Sequence, residues 1–376
     1  MSTRLQQARK ARELTQSQIV HELLRRANAG GVPIASPTSL KMLLSSFENG
    51  RRSVNEPYRT LFRAIYGMTD AELFGPTDNA ETLEDREYAE LAGRIASARK
   101  IDTATAAMLS RQTECIRVMD AKVGATALVD QMQAHLTTVQ NALSHAILPS
   151  VREPLAAVLA DAAALAAWQA LDVGAISRAW TYHETARYAA LEAKDIALLT
   201  HAMAQQAFVL VDIGEIDAAL QLVTEARREA RRSVPSRLQA WLLAAEAEVL
   251  AASGQRSEAM KRFDRAVDLI PTGPEAVEPD LPFVFLNSAH LARWRGNALA
   301  RLGSADAIAD LYSALSGAST VSDRAEASLR CDLAQALLRH GDRSEARKHA
   351  TEARRLARRV GSVRQRRRIE QLVFID

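Results

Sequence analysis

Few residues of this chain are spaced for bond-making chemistry. Its eight histidines are scattered, and none stands at metal-ligand spacing with a cysteine. His21-Glu22 lacks the second histidine, four residues after the first, that a zinc protease helix needs. No glycine-rich phosphate loop occurs, and carboxylates such as Glu246 and Glu248 fall on helix surfaces. Cys115 and Cys331 lie far apart in helical patterns and read as plain buried thiols. No enzyme, metal or cofactor is expected. The chemistry that remains is recognition of a polyanion. Against a net charge of +3, residues 1–75 carry +5 and residues 342–370 carry +7, leaving the remainder at −9. The C-terminal block reads as solvated helix faces. In the N-terminal block, Lys41, Arg51 and Arg52 stand among the hydroxyls of Thr38, Ser39, Ser45 and Ser46. Those side-chain types hydrogen-bond phosphates and base edges.

Helices must position them. Hydrophobic residues make up 48% of the 376, aromatics only 5%, and alanine recurs throughout. Alanine loses no side-chain entropy in a helix, so the class is all-α. The most apolar stretch, Pro154 to Ile176, holds Asp161 and Asp172, which makes it a poor membrane span and a good buried helix. Met1 to Leu14 is charged and is not a signal peptide. With the cysteine usage, this fits a reducing cytoplasm. The first helix reads from Leu5 to Arg12. Thr15 caps a second, which ends at Asn28-Ala29-Gly30-Gly31. Ser36-Pro37 opens a third, with Leu40, Leu43, Leu44 and Phe47 inward, ending at Glu48-Asn49-Gly50. Two more follow, over Tyr58–Tyr66 and Thr69–Phe74.

Over residues 4–75 the chain resembles the Xre/Cro-type phage-repressor family, in the version found in actinobacterial regulators. The matching pieces are Thr15-Gln16-Ser17-Gln18, a third helix ending Phe47-Glu48-Asn49-Gly50, the pair Arg51-Arg52, and the tail Tyr58 to Gly75. The resemblance implies a helix-turn-helix that binds double-stranded DNA. Lys41, Met42, Ser45 and Ser46 would then face the major groove, with Thr38 and Ser39 at the helix end nearest DNA. Gln16, with Gln18 beside it, would approach a phosphate, and Asn49, Arg51 and Arg52 would hold the backbone. It also implies a structural pair between Arg9 and Glu48. The junction Arg25–Ala35 is longer than the family's tight turn, and reads either as a wing over phosphates or as a passive loop.

Past a polar hinge at Thr77–Glu84 the chain repeats. Gly174, Gly214, Gly254, Gly303 and Gly341 are spaced 40, 40, 49 and 38 residues apart. Five residues after each stands Ala179, Ala219, Ala259, Ile308 and Ala346; twelve after, Ala186, Ala226, Ala266, Leu315 and Ala353. Seven before stands Ala167, Ala207, Ala247, Gly296 and Ala334. Small residues in one register mark close helix contacts. Over about 150–360 this resembles the tetratricopeptide repeat family, with a loop insertion in the long interval at Pro271–Asp280. The resemblance implies an α-solenoid and a concave groove lined by Asp161, Ala164 and Trp168; His201, Ala204 and Phe208; Trp241, Ala244 and Glu248; His290, Arg293 and Asn297; Ser328, Cys331 and Gln335. Such a groove suits a peptide or small-molecule effector. Trp168, Phe208 and Trp241 read equally as packed core.

The expected architecture is therefore a helix-turn-helix domain over 1–76, a helical linking layer over 77–148 and a tetratricopeptide-like solenoid over 149–376. The expected function is a transcription regulator, homodimeric through its repeats, with no membrane association. The alternative is an interaction scaffold or adaptor with weak DNA binding.

Overall fold

The computed structural model describes residues 3–75, 83–98, 101–231, 233–270, 281–284, 286–316 and 322–372. The described residues form helices and connecting turns, with no strand among them. The chain divides into two compact units, Met1–Ala92 and Gly93–Asp376.

The first unit holds α1 (Arg4–Ala11), α2 (Gln16–Ala29), α3 (Pro37–Glu48), α4 (Tyr58–Tyr66) and α5 (Asp70–Phe74). Their starts are fixed by side chains that accept orphan backbone N–H groups. Thr3 accepts from Gln6, Thr15 forms a capping box with Gln18, Ser36 precedes Pro37, and Thr69 pairs with Glu72. Leu5, Ile19, Leu23, Leu40, Leu44, Phe62 and Leu73 form one core. The long junction is no wing. Its first part, through Ala29, is α2 itself, on which Arg25 and Arg26 are held by Glu22 at 2.6 and 2.7 Å. The short loop that follows packs Val32, Ile34 and Ala35 onto the core, and the Ala35 N–H donates to the Tyr58 hydroxyl at 3.1 Å. The boundary between the units falls within α6 (Leu83–Ala98). The expected hinge lies, through residue 82, outside the described residues.

The second unit starts with α7 (Thr103–Val123) and α8 (Val129–His145), joined by a 3-10 turn at Ala125–Ala127. Five helical hairpins follow. They are α9 (Pro149–Asp172) with α10 (Ile176–Glu192), α11 (Ile196–Ile213) with α12 (Ile216–Ala230), and α13 (Ser236–Ala252) with α14 (Arg256–Leu269). Then come α15 (Ser288–Arg301) with α16 (Asp306–Ser316), α17 (Asp323–Arg339) with α18 (Arg343–Arg359), and a last short helix, α19 (Val363–Glu370). The first helix of each hairpin packs on the first helix of the next, as in a solenoid. The helices α7 and α8 pack on α9, so residues 93–148 join the repeat unit rather than stand as a separate layer.

The repeat register has a packing cause. All five turn glycines have positive φ, between 71° and 89°, a conformation that ends the first helix with no Cβ penalty. The alanines at five, twelve and minus seven are fully buried where the hairpin helices touch. The fourth hairpin departs from the register. Ile308 and Leu315 are only half-buried, and Ala307, one residue earlier, takes the enclosed place. There Gly296 leaves room for Leu311, whose Cδ2 would stand 2.8 Å from an added Cβ. Two helices, α9 and α11, are long and apolar enough to cross a membrane, but most of that length is buried against neighbouring helices.

Candidate functional site

In the first unit, the face of α3 turned from the core presents Thr38, Lys41 and Met42, all exposed, with Ser45 half-buried in the same row. Ser46 is half-buried to one side. Ser39 is turned back toward the helix start, where the Ser36 hydroxyl donates to its own at 3.1 Å. Asn49 caps the helix, its Nδ2 donating to the Ser45 carbonyl at 2.7 Å. Arg51 and Arg52 follow, exposed and without an ion pair among the described residues.

The opposite side of α3 is locked. The fully buried Glu48 carboxylate accepts from Arg9 Nε at 2.6 Å, from Arg9 Nη2 at 2.9 Å, and from Gln16 Nε2 at 2.9 Å. Arg9 Nη1 donates to the Leu14 carbonyl at 2.7 Å. The hydrogen bond to Glu48 raises the Arg9 pKa, outweighing burial. Gln16 and Gln18, both expected at the DNA, make contacts within the unit. Gln16 gives an amide proton to Glu48, and the Gln18 carbonyl accepts from the Thr15 N–H at 2.7 Å as part of the cap. Gln16 thus holds α2 to α3, and Gln18 closes the cap of its own helix. Replacing Glu48 by alanine would strand Arg9 and free Gln16. We expect a loss of about 3 kcal/mol from the first unit, read as a lower denaturant midpoint for its unfolding.

The concave face of the second unit is not an open groove. Trp241 and Phe208 are buried in the core, as the alternative reading of the aromatics had it. The His201 ring lies 4.7 Å from Trp241 and 4.9 Å from Phe283, and Trp294 lies 5.7 Å from Trp241 and 6.3 Å from Phe208. The segment that follows the insertion, before α15, supplies this filling. Leu281, Val284 and Leu286 are buried in the same cluster, while residues 271–280 lie outside the described residues. Asp161 is held by Arg117 at 2.6 Å. Ala164, Ala204 and Ala244 are buried, as is Cys331, whose thiol burial pushes up to about 11; Cys115, expected to be buried as well, is exposed. Gln335 is half-buried. His290 sits at the start of α15, where its N–H donates to Asn287 Oδ1 at 2.9 Å, and Arg293 is half-buried on the next turn.

The far part of the concave face is covered by α19. Arg364 lies over the Trp168 ring at 5.2 Å and donates to both oxygens of Asp212, at 2.6 and 2.8 Å. Arg368 pairs with Asp332 and donates to the Ser328 hydroxyl at 3.2 Å. Asn297 donates to the same Asp332 at 2.7 Å. Burial would lower the Arg368 pKa, but the Asp332 charge holds it raised. Glu248 stands within reach of these charges. Burial pushes its carboxyl up to about 7, Asp332 adds to the rise, and Arg301, Arg364 and Arg368 oppose it.

The last hairpin also meets the first. Arg324 on α17 reaches Asp120 on α7 at 2.6 Å and Asp172 on α9 at 3.7 Å. Gln169 donates to Asp120 at 3.2 Å, Ser362 to Asp172 at 2.5 Å, and Thr126 to the Gly361 carbonyl at 3.2 Å. The hairpins therefore close into a ring. None of Arg324, Arg364, Arg368, Asp120, Asp212 or Asp332 stood out in the sequence, and Asp172 did so only as a charge in an apolar helix. The only signal was the basic block, expected to be solvated; its Arg364 and Arg368 are turned inward, while Arg367 is exposed.

By its own helix pairing the chain is a helical repeat protein with a small helical unit before the repeats. No protein-family model and no curated protein matches it. Among solved structures it is similar to a Rap protein complexed with competence and sporulation factor. The TM-score is 0.45 at 12% identity, over 94% of this chain and 96% of that one.

Proposed function

We propose that the protein is a DNA-binding transcription regulator whose repeat unit serves as an interaction scaffold. The observation that carries the reading is the α3 face. One side of the helix is fixed by Arg9, Gln16 and Glu48, while the other offers Thr38, Lys41, Met42 and Ser45 in a row, followed by the exposed Arg51 and Arg52, which make no ion pair among the described residues. A rigid helix with hydrogen-bonding groups on its free face and cations at its end suits the major groove and its flanking phosphates. Single units of this size read few base pairs and work in pairs on half-sites about one DNA turn apart, which supports a homodimer. The free cysteines, Cys115 and Cys331, suit a reducing cytoplasm. An effector that enters the concave face must displace part of the chain itself.

The test is a salt titration of binding to duplex fragments. Arg51→Ala and Arg52→Ala should each weaken binding to all sequences alike and reduce the log–log salt slope by about 0.9, the share of one phosphate. Lys41→Ala should instead change which duplex is preferred. A wild-type chain with no salt-dependent affinity for any duplex would favour the second reading, an adaptor. The size of the repeat unit, Gly93–Asp376, supports that alternative.

A further inference from the structure

The carboxylates that seat α19 come from two distant hairpins. Asp212 lies near the end of α11 and Asp332 midway along α17, and each is taken by an arginine of one eight-residue helix. Arg364 and Arg368 stand four residues apart, so they project from one face of α19. Each seat has a second wall, the Trp168 ring beneath Arg364 and the Ser328 hydroxyl beside Arg368. The polar contacts from α19 to α9, α11 and α17 run through side chains, so any helix with the same arginine spacing presents the same groups. Paired N–H donors facing a carboxylate make guanidinium the cation of choice for such seats.

We propose that these seats form a recognition site for a helical peptide carrying two arginines four residues apart, and that α19 is its resident, displaceable occupant. An isolated helix of this length is not stable in water, so α19 depends for order on its contacts with the hairpins, the two seats among them. It is joined to α18 by the turn at Gly361, with φ 70°, and packs Ile369 against α17 and α18. Such a tether holds the occupant at an effective concentration on the order of millimolar. A free peptide then competes poorly with the intact chain and well with a chain whose own arginines are removed. The inference does not depend on DNA binding by the first unit.

Two measurements on the full-length chain test it. In native-state hydrogen exchange, amides of 363–370 should exchange at least tenfold faster than those of α13, through an opening that leaves the hairpins folded. A synthetic peptide of residues 361–372 should bind the Arg364→Ala/Arg368→Ala chain at least tenfold more tightly than the wild-type chain. That binding should be lost when both arginines of the peptide are alanine, and weakened when Asp332→Asn is added to the chain. Exchange of 363–370 only together with α13 would show α19 to be a permanent part of the core and overturn the proposal, whether or not the double variant folds. Equal affinity of the peptide for both chains, or binding that ignores the peptide's arginines, would overturn it as well.

Discussion

Replacing Arg324 by alanine should destabilise the repeat unit by about 4 kcal/mol, the size seen when one partner of a buried ion pair is removed. Arg324 is the cation between Asp120 and Asp172, both almost fully enclosed. Burial would lower its pKa, yet the two carboxylates keep it raised. Without the guanidinium, Asp120 keeps only the Gln169 amide and Asp172 only the Ser362 hydroxyl as side-chain partners among the described residues. Two desolvated negative charges would then share one site. The loss should be large because the triad joins α17 to α7 and α9 and so closes the ring. Arg355→Ala is the control. Its partner Glu352 is three residues away on the same exposed helix face, and such pairs contribute about 0–1 kcal/mol. Urea unfolding followed by helical circular dichroism should separate the two variants clearly. Equal midpoints would mean that the triad does not hold the ends together.

Mild acid should be nearly as damaging. Burial pushes His183 down to about 3, and burial with the nearby Arg117 and His183 pushes His201 to about 3, against an ordinary value of 6.5. Neither ring nitrogen of His183 meets a hydrogen-bond partner among the described residues. The folded state therefore keeps both rings neutral, while the unfolded chain takes up protons below pH 6.5. Stability is full above that value and falls as the pH drops toward the folded pKa, by up to about 1.4 kcal/mol per pH unit for each histidine. For the pair the loss between pH 7 and pH 5 should be about 4 kcal/mol. Glu248, held up to about 7, titrates in the same window with the opposite sign, and His290, pushed down to about 4, adds to the loss, so the contribution of the pair is read from variants. His183→Leu and His201→Leu should each remove about 2 kcal/mol of the wild-type loss between pH 7 and pH 5. Variants whose pH dependence matches that of the wild-type chain would show that these rings are solvated or protonated in the fold.

Much of this was legible in the chain because it is local. Caps at Thr15, Ser36 and Thr69, and glycines that must adopt positive φ, act within a turn or two of their own positions. The recurring alanines mark helix contacts between neighbours in sequence, so a fixed spacing reports them. The register slipped at Ile308, where the buried place moved to Ala307 and a glycine at 296 let Leu311 come close. Spacing counts residues and cannot show a compensating exchange of volume between two helices. The same limit applied to the groove. Positions facing a concave surface were assignable hairpin by hairpin, but their openness was not.

The sequence by itself determined an all-helical chain, its helix starts and stops, the hairpin repeat and the row of donors along α3. Those features depend on interactions between residues close in the chain, where residue type alone sets the energy. Only the tertiary structure decided that Phe283 and α19 fill the concave face, that Gln16 serves Glu48, and that Arg324 binds Asp120 across 204 intervening steps of the chain. An arginine has the same type and the same helical spacing on a solvated face as in a buried seat. What separates the two is the desolvation of its partner, which is fixed by how far the curvature of five hairpins carries the last helix back toward the first.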